Sequence, residues 1–140
     1  MRVSKSVLLV EDDDVDAMTI RRAVGDLKFT EPLTRVNNGE EALEYLRSQG
    51  NEKPCIILLD LNMPRMNGTD FLKVVKSDVA LKKIPIVVLT TSDEQCDIAS
   101  SFDLCVAGYI VKPVDYESLV QALGTVQLYW TLSELPSGRW

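Results

Sequence analysis

The sequence contains no histidine. That removes imidazole as a general acid or base and takes away the usual ligand of most zinc and copper sites. Cysteine is scarce: Cys55, Cys96 and Cys105 are odd in number and form no CxxC pair. They read as buried or half-buried thiols of a protein in a reducing cytoplasm. No apolar run approaches the ~20 residues of a membrane span, and the opening MRVSKS lacks the apolar region of a signal peptide. Positive charge is in deficit as well. Fifteen basic residues against 21 acidic ones leave a net charge of −6, which argues against nucleic acid or an anionic membrane as the main partner. What remains is a chain of 140 residues, 46% hydrophobic and 26% charged, suited to one domain with a genuine core.

Short runs rich in Val, Ile and Leu alternate with stretches of helical period. The runs are SVLLV (6–10), PLTRV (32–36), CIILLD (55–60), PIVVLT (85–90) and AGYIV (107–111). Four lack polar alternation, as strands covered on both faces do, and only PLTRV alternates, which predicts an edge strand. Between the runs, helix faces are marked by Ala17, Ile20, Val24 and Leu27, by Ala42, Leu43 and Leu46, and by Phe71, Leu72 and Val75. A short fourth face carries Ile98, Ala99 and Phe102, and the last carries Leu119, Leu123 and Val126. Five β/α repeats with short connections predict an α/β fold: a doubly wound, five-stranded parallel sheet with helices on both faces. The segment YWTLSELPSGRW follows the last helix as a tail.

In such a sheet the carboxyl ends of the strands share one edge, and ligands bind there. The first strand ends in Glu11-Asp12, the third in Asp60, the fourth in Thr90-Thr91 and the fifth in Lys112-Pro113. The stretch VLLVEDDDVD sets four consecutive acids at that edge, more than a helix start requires. Like charges about 4 Å apart repel by roughly 4 kcal/mol at an effective dielectric of 20, so the cluster calls for a counter-ion. Oxygen ligands without histidine suit a hard cation such as Mg²⁺, which binds through one or two carboxylates and bridges readily to phosphoryl oxygens. Asp12 and Asp60 are the natural direct ligands, Glu11 the holder of a metal-bound water. A lysine and a hydroxyl aimed at the same point would bind phosphoryl oxygens, and an aspartate beside them can act as a nucleophile.

VLLVEDD, IILLDLNMPRMNG, VVLTTS and YIVKP, in this order and spacing, resemble the receiver domain of two-component response regulators. The match covers about Lys5 to Val126. The resemblance implies strand order 2-1-3-4-5 in a flavodoxin-like receiver fold with five helices, over residues 1–129, and a tail at 130–140 without an output domain. It also implies that Asp60 accepts a phosphoryl group from a phosphohistidine on a sensor kinase. Mg²⁺ would be held by Asp12, Asp60 and the backbone carbonyl of Asn62, with Glu11 assisting. Thr90 would hydrogen-bond one phosphoryl oxygen and Lys112 would ion-pair with another, while Tyr109 matches the aromatic that moves on activation. Asp13 and Asp14 are left to the helix start and solvent. LTTSDEQCDI, YIVKPVDY and the late YW are similar to small stand-alone regulators that partner bacterial phytochrome kinases, in which C-terminal aromatics often join homodimers. One departure stands out. The family usually has LGA before the fifth strand, and this chain has Leu104, Cys105 and Val106, so Cys105 should change or strain the helix end that glycine normally permits.

The expected output is altered contact with a downstream protein or a change of oligomeric state. Three competing readings are weaker. A haloacid-dehalogenase-type phosphatase wants a second aspartate where Asn62 stands. A toprim-like nucleic-acid site wants a DxD pair where the chain has Asp60-Leu61-Asn62, and the negative charge opposes it. A receiver-like scaffold that no longer uses phosphate would not need the complete set of acids, hydroxyl and lysine. Singly, Asp60 could start a turn, Lys112 could be an ordinary surface lysine, and Tyr109 or Trp130 could serve packing alone.

Overall fold

Val7, Leu9, Ile56, Leu58, Val87 and Leu89 belong to one buried cluster, and Leu8, Val10, Ile57, Leu59, Ile86 and Val88 to another. Consecutive strand residues point to opposite faces, so this division is that of a sheet with a core on each side. The computed structural model describes residues 6–28, 32–48, 50 and 53–132, the last three by their backbone alone. Its elements are β1 (Val7–Val10), α1 (Asp14–Asp26), β2 (Leu33–Val36), α2 (Gly39–Arg47), β3 (Ile56–Leu59), α3 (Gly68–Ser77), β4 (Ile86–Thr90), α4 (Gln95–Asp103), β5 (Gly108–Val111) and α5 (Tyr116–Leu132). The strands pair in parallel in the order β2-β1-β3-β4-β5, as the resemblance implies.

One core lies under α1 and α5, which contribute Ala17, Ile20, Ala23, Val24, Leu119 and Leu123. The other lies under α2 and α3, where Leu43, Leu46, Phe71, Leu72 and Val75 are buried. Side chains cap the first turns: Asp13 accepts from the Asp16 N–H, Asn38 from Glu41 and Asn67 from Asp70, each satisfying a free helical donor.

Four sequence expectations are corrected. AGYIV is not covered on both faces: Gly108 to Ile110 are half-buried and Val111 is exposed, because β5 is the outermost strand with only β4 beside it. The fourth helix does not bury Ala99 and Phe102. Both are exposed, and Ser101 is its buried residue. Cys55 is buried, but Cys96 and Cys105 are exposed rather than half-buried. The last helix continues through Leu132, so Tyr129 to Leu132 are helical and not part of a tail. The Trp130 side chain and residues 133–140 lie outside the described residues.

Cys105 strains the end of α4 without changing its form. It adopts φ 61°, its N–H donates to the Phe102 carbonyl at 2.9 Å, and the Val106 N–H donates to Ser101 at 3.3 Å. That is the paired-bond helix end usually built on glycine, held here at a cost of about 1 kcal/mol for the left-handed conformation.

Candidate functional site

The sheet register carries the first acids to one place. The Glu11 N–H donates to the Val36 carbonyl at 3.0 Å and the Asp60 N–H to the Val10 carbonyl at 3.1 Å, so β1 stays paired on both sides until its last residue. Carboxylate oxygens of Glu11, Asp12 and Asp60 then lie within 4.8 Å of one another. Glu11 is 1% exposed and Asp60 7%, while Asp12 is half-buried and faces the open side.

Lys112 reaches this cup from the end of β5. Its Nζ is 2.5 Å from Glu11 Oε1, 2.9 Å from Asp16 Oδ2 and 3.7 Å from Asp60 Oδ2. The Lys112 N–H donates to the Thr90 carbonyl at 2.7 Å, which ties the lysine to the strand end bearing the hydroxyl. Burial pushes the Glu11 carboxyl up to about 7, against the lowering pull of Lys112. Burial acts against the Lys112 ammonium too, but its hydrogen bonds to Glu11 and Asp16 and the charge of Asp60 outweigh it and raise its pKa. The pattern is that of an acid-rich cup with one internal cation.

Asp60 Oδ1 accepts the Asn62 N–H at 3.2 Å, and the Asn62 side chain is exposed. Thr90 is fully buried, and its Oγ1 accepts the Ser92 N–H at 3.4 Å. The Tyr109 hydroxyl donates to the Ser92 carbonyl at 2.9 Å. Thr90 and Tyr109 therefore hold opposite backbone groups of a single residue. Burial raises the Tyr109 phenol above its ordinary pKa.

The donor set fits a hard divalent ion. It offers three carboxylates, no nitrogen or sulfur, and one half-open side where water can remain bound. A second group, Glu94, Cys96 and Asp97, also lies close together but is largely solvent-facing, and Asp97 is taken by the Ser92 hydroxyl at 2.5 Å.

Asp16 and Gly68 were missed from sequence, and Asp14 and Ser92 gain partners that it did not show. Asp16, one helical turn beyond Asp12, is a partner of Lys112. Asp14, the first residue of α1, stays exposed to solvent as expected and also pairs with Arg35 at 2.8 Å. Ser92 joins the hydroxyl to the aromatic. Gly68, the last residue of the quoted NMPRMNG, lies against the Asp60 backbone, where an added Cβ would be 2.5 Å from the Asp60 carbonyl oxygen.

The chain is similar to known proteins over most of its length. The family model of the response regulator receiver domain matches residues 7–124. A probable methanogenesis regulatory protein, FilR2 of Methanothrix harundinacea, is 37% identical over 127 residues, covering 89% of this chain and 82% of its own. The phosphorylated cyanobacterial phytochrome response regulator RcpA superposes with TM-score 0.88 at 38% identity, over 95% of this chain and 99% of its own. The Mn²⁺-bound form of response regulator Rcp1 superposes with TM-score 0.87 at 31% identity, over 96% and 100%.

Proposed function

The chain belongs to the response regulator receiver domain family, and from that membership we propose that it takes a phosphoryl group onto Asp60 from a phosphohistidine of a sensor histidine kinase. A carboxylate oxygen of Asp60 attacks the phosphorus. The P–O bond forms, the P–N bond breaks, and the imidazole leaves with the bonding pair and takes up a proton. The observation that carries this reading is the convergence of three strand ends, with Lys112 Nζ 3.7 Å from Asp60 Oδ2 inside a cup that also holds Glu11 and Asp12.

Glu11, Asp12, Asp60 and the Asn62 backbone carbonyl would hold Mg²⁺. Bound there, the ion neutralises the charge of the cup and of the phosphoryl oxygens. The chain's own groups do the rest. Lys112 exchanges a carboxylate for a phosphoryl oxygen, and the Thr90 hydroxyl donates to another. Asn62 fixes one oxygen of Asp60 through its N–H. Because Thr90 and Tyr109 share Ser92, a change at the hydroxyl is passed to β5 and the β4–α4 loop. Output is altered binding on the α4–β5–α5 surface, to a downstream protein or a second copy. The similarity to the phytochrome response regulator RcpA favours a phytochrome-type kinase, and thus a cytoplasmic setting. Asn62 in place of a second aspartate speaks against turnover of foreign phosphoesters.

The test is transfer from an autophosphorylated histidine kinase with labelled phosphate. Label should move to this chain in Mg²⁺ and stay on the kinase in excess chelator. Label that stays on every kinase tried, while acetyl phosphate also leaves Asp60 unmodified, would reduce the protein to a scaffold.

A further inference from the structure

Arg35 stands on the edge strand β2, opposite Leu9 in register, and its side chain turns toward the acid-rich loop after β1. Its Nε donates to the Glu11 carbonyl at 2.8 Å, and its Nη1 donates to Asp14 Oδ1 at 2.8 Å. The third nitrogen, Nη2, is shielded from solvent and has no partner among the described residues. The guanidinium thus grips residues 11 and 14, and Asp12 lies between the two points of attachment.

Resting on the reading of the site as a Mg²⁺-dependent phosphoryl acceptor, we propose that Arg35 is a positioning residue that sets the Asp12 carboxylate for the metal. The Glu11 carbonyl and the Asp12 N–H belong to one planar peptide unit. The Glu11 N–H is already fixed on Val36. A donor on its carbonyl then fixes the plane from which the Asp12 side chain departs. Arg suits the task because its planar fork can hold a carbonyl and a carboxylate together.

The charge of Arg35 works the other way. A guanidinium beside the cup repels a divalent cation, so an Arg35 that acted by charge alone would weaken Mg²⁺ binding, and its removal would tighten it. Positioning predicts the opposite sign.

Titration calorimetry with Mg²⁺ alone distinguishes them on wild type, Arg35→Met and Arg35→Gln. The glutamine Nε2 is as many bonds from Cα as the arginine Nε, so it can donate to the Glu11 carbonyl without charge and without Asp14. Methionine puts carbon there. Arg35→Met should weaken Mg²⁺ about tenfold, the lower end of what removal of residues behind a metal ligand does, and Arg35→Gln should stay within about threefold of wild type. Binding by Arg35→Met as tight as wild type or tighter would overturn the assignment, as would equal weakening of both variants. The rise in thermal midpoint from chelator to Mg²⁺ gives the same comparison if a variant is only marginally folded. A wild type that takes up no Mg²⁺ would overturn the site reading beneath it instead.

Discussion

Lys112→Met should lower the unfolding free energy in excess chelator by about 2 kcal/mol, and by much less in saturating Mg²⁺. Methionine keeps most of the stem and removes the ammonium that lies 2.5 Å from Glu11 and 3.7 Å from Asp60. Those carboxylate side chains are 1% and 8% exposed, so little water replaces the lost partner. Removing one member of a buried pair costs roughly 3–5 kcal/mol where the remaining charge is left uncompensated, and Glu11, already pushed up to about 7 by burial, sheds part of that cost by taking up a proton. Asp16 is 43% exposed and Asp12 faces the open side, which screens part of that cost and brings it down to the stated figure. Mg²⁺ supplies a replacement cation, and a ligand at a hundred times its Kd adds about 2.7 kcal/mol to the state that binds it. Urea unfolding with chelator and with Mg²⁺ measures both terms. An equal loss in the two conditions would mean that Lys112 stabilises by packing its stem, and that it is not the resident counter-ion of the cup.

Gly68→Ala should slow Asp60 phosphorylation about a hundredfold at saturating Mg²⁺ and acetyl phosphate, the penalty expected when a reacting group is moved by about 1 Å. An added Cβ would stand 2.5 Å from the Asp60 carbonyl oxygen and 2.6 Å from Leu61 Cα. Both are backbone atoms and cannot rotate aside. The Gly68 N–H also donates to the Leu61 carbonyl at 3.1 Å, so α3 cannot recede without giving up that bond. Relief must come from displacing the segment that carries Asp60, with an overpacking cost of about 1–3 kcal/mol. Initial rates and thermal midpoints of the variant separate the two effects. A wild-type rate would show that the β3–α3 segment absorbs the methyl group elsewhere and that Gly68 does not hold the acceptor in place.

What could be read in the sequence was what repeats along it. VLLV, IILL and IVVLT are apolar without interruption because both of their faces are buried, and their ends mark the edge where Glu11, Asp60 and Thr90 lie. PLTRV alternates, and it is indeed an edge strand, half-buried at Leu33, Thr34 and Arg35. AGYIV misled because apolar composition does not say how many neighbours a strand has. Phe102 misled for a related reason: on a short helix three apolar residues do not fix the buried face, and Ser101 takes it. The quoted motifs named Asp60 and Lys112, whose side chains the fold brings within 3.7 Å of one another, and Thr90, which ends the strand beside theirs. Pairings across the fold had no such signal. Asp16 and Lys112 are 96 residues apart, and Arg35 looked like the polar residue of an alternating strand. Only the parallel register of β1 and β2 turns it toward the loop it holds. At Cys105 the departure from glycine was visible and strain or change were both open. The hydrogen bonds of the helix end show that strain is the outcome.

The most direct measurement is the intact mass of wild type and Asp60→Asn after incubation with acetyl phosphate, with Mg²⁺ or with chelator. Asparagine keeps the shape of the acceptor but removes the nucleophilic carboxylate. One phosphoryl adduct is expected on wild type in Mg²⁺, none in chelator, and none on Asp60→Asn under either condition. An adduct of equal size on Asp60→Asn would contradict this, by placing the acceptor on another residue.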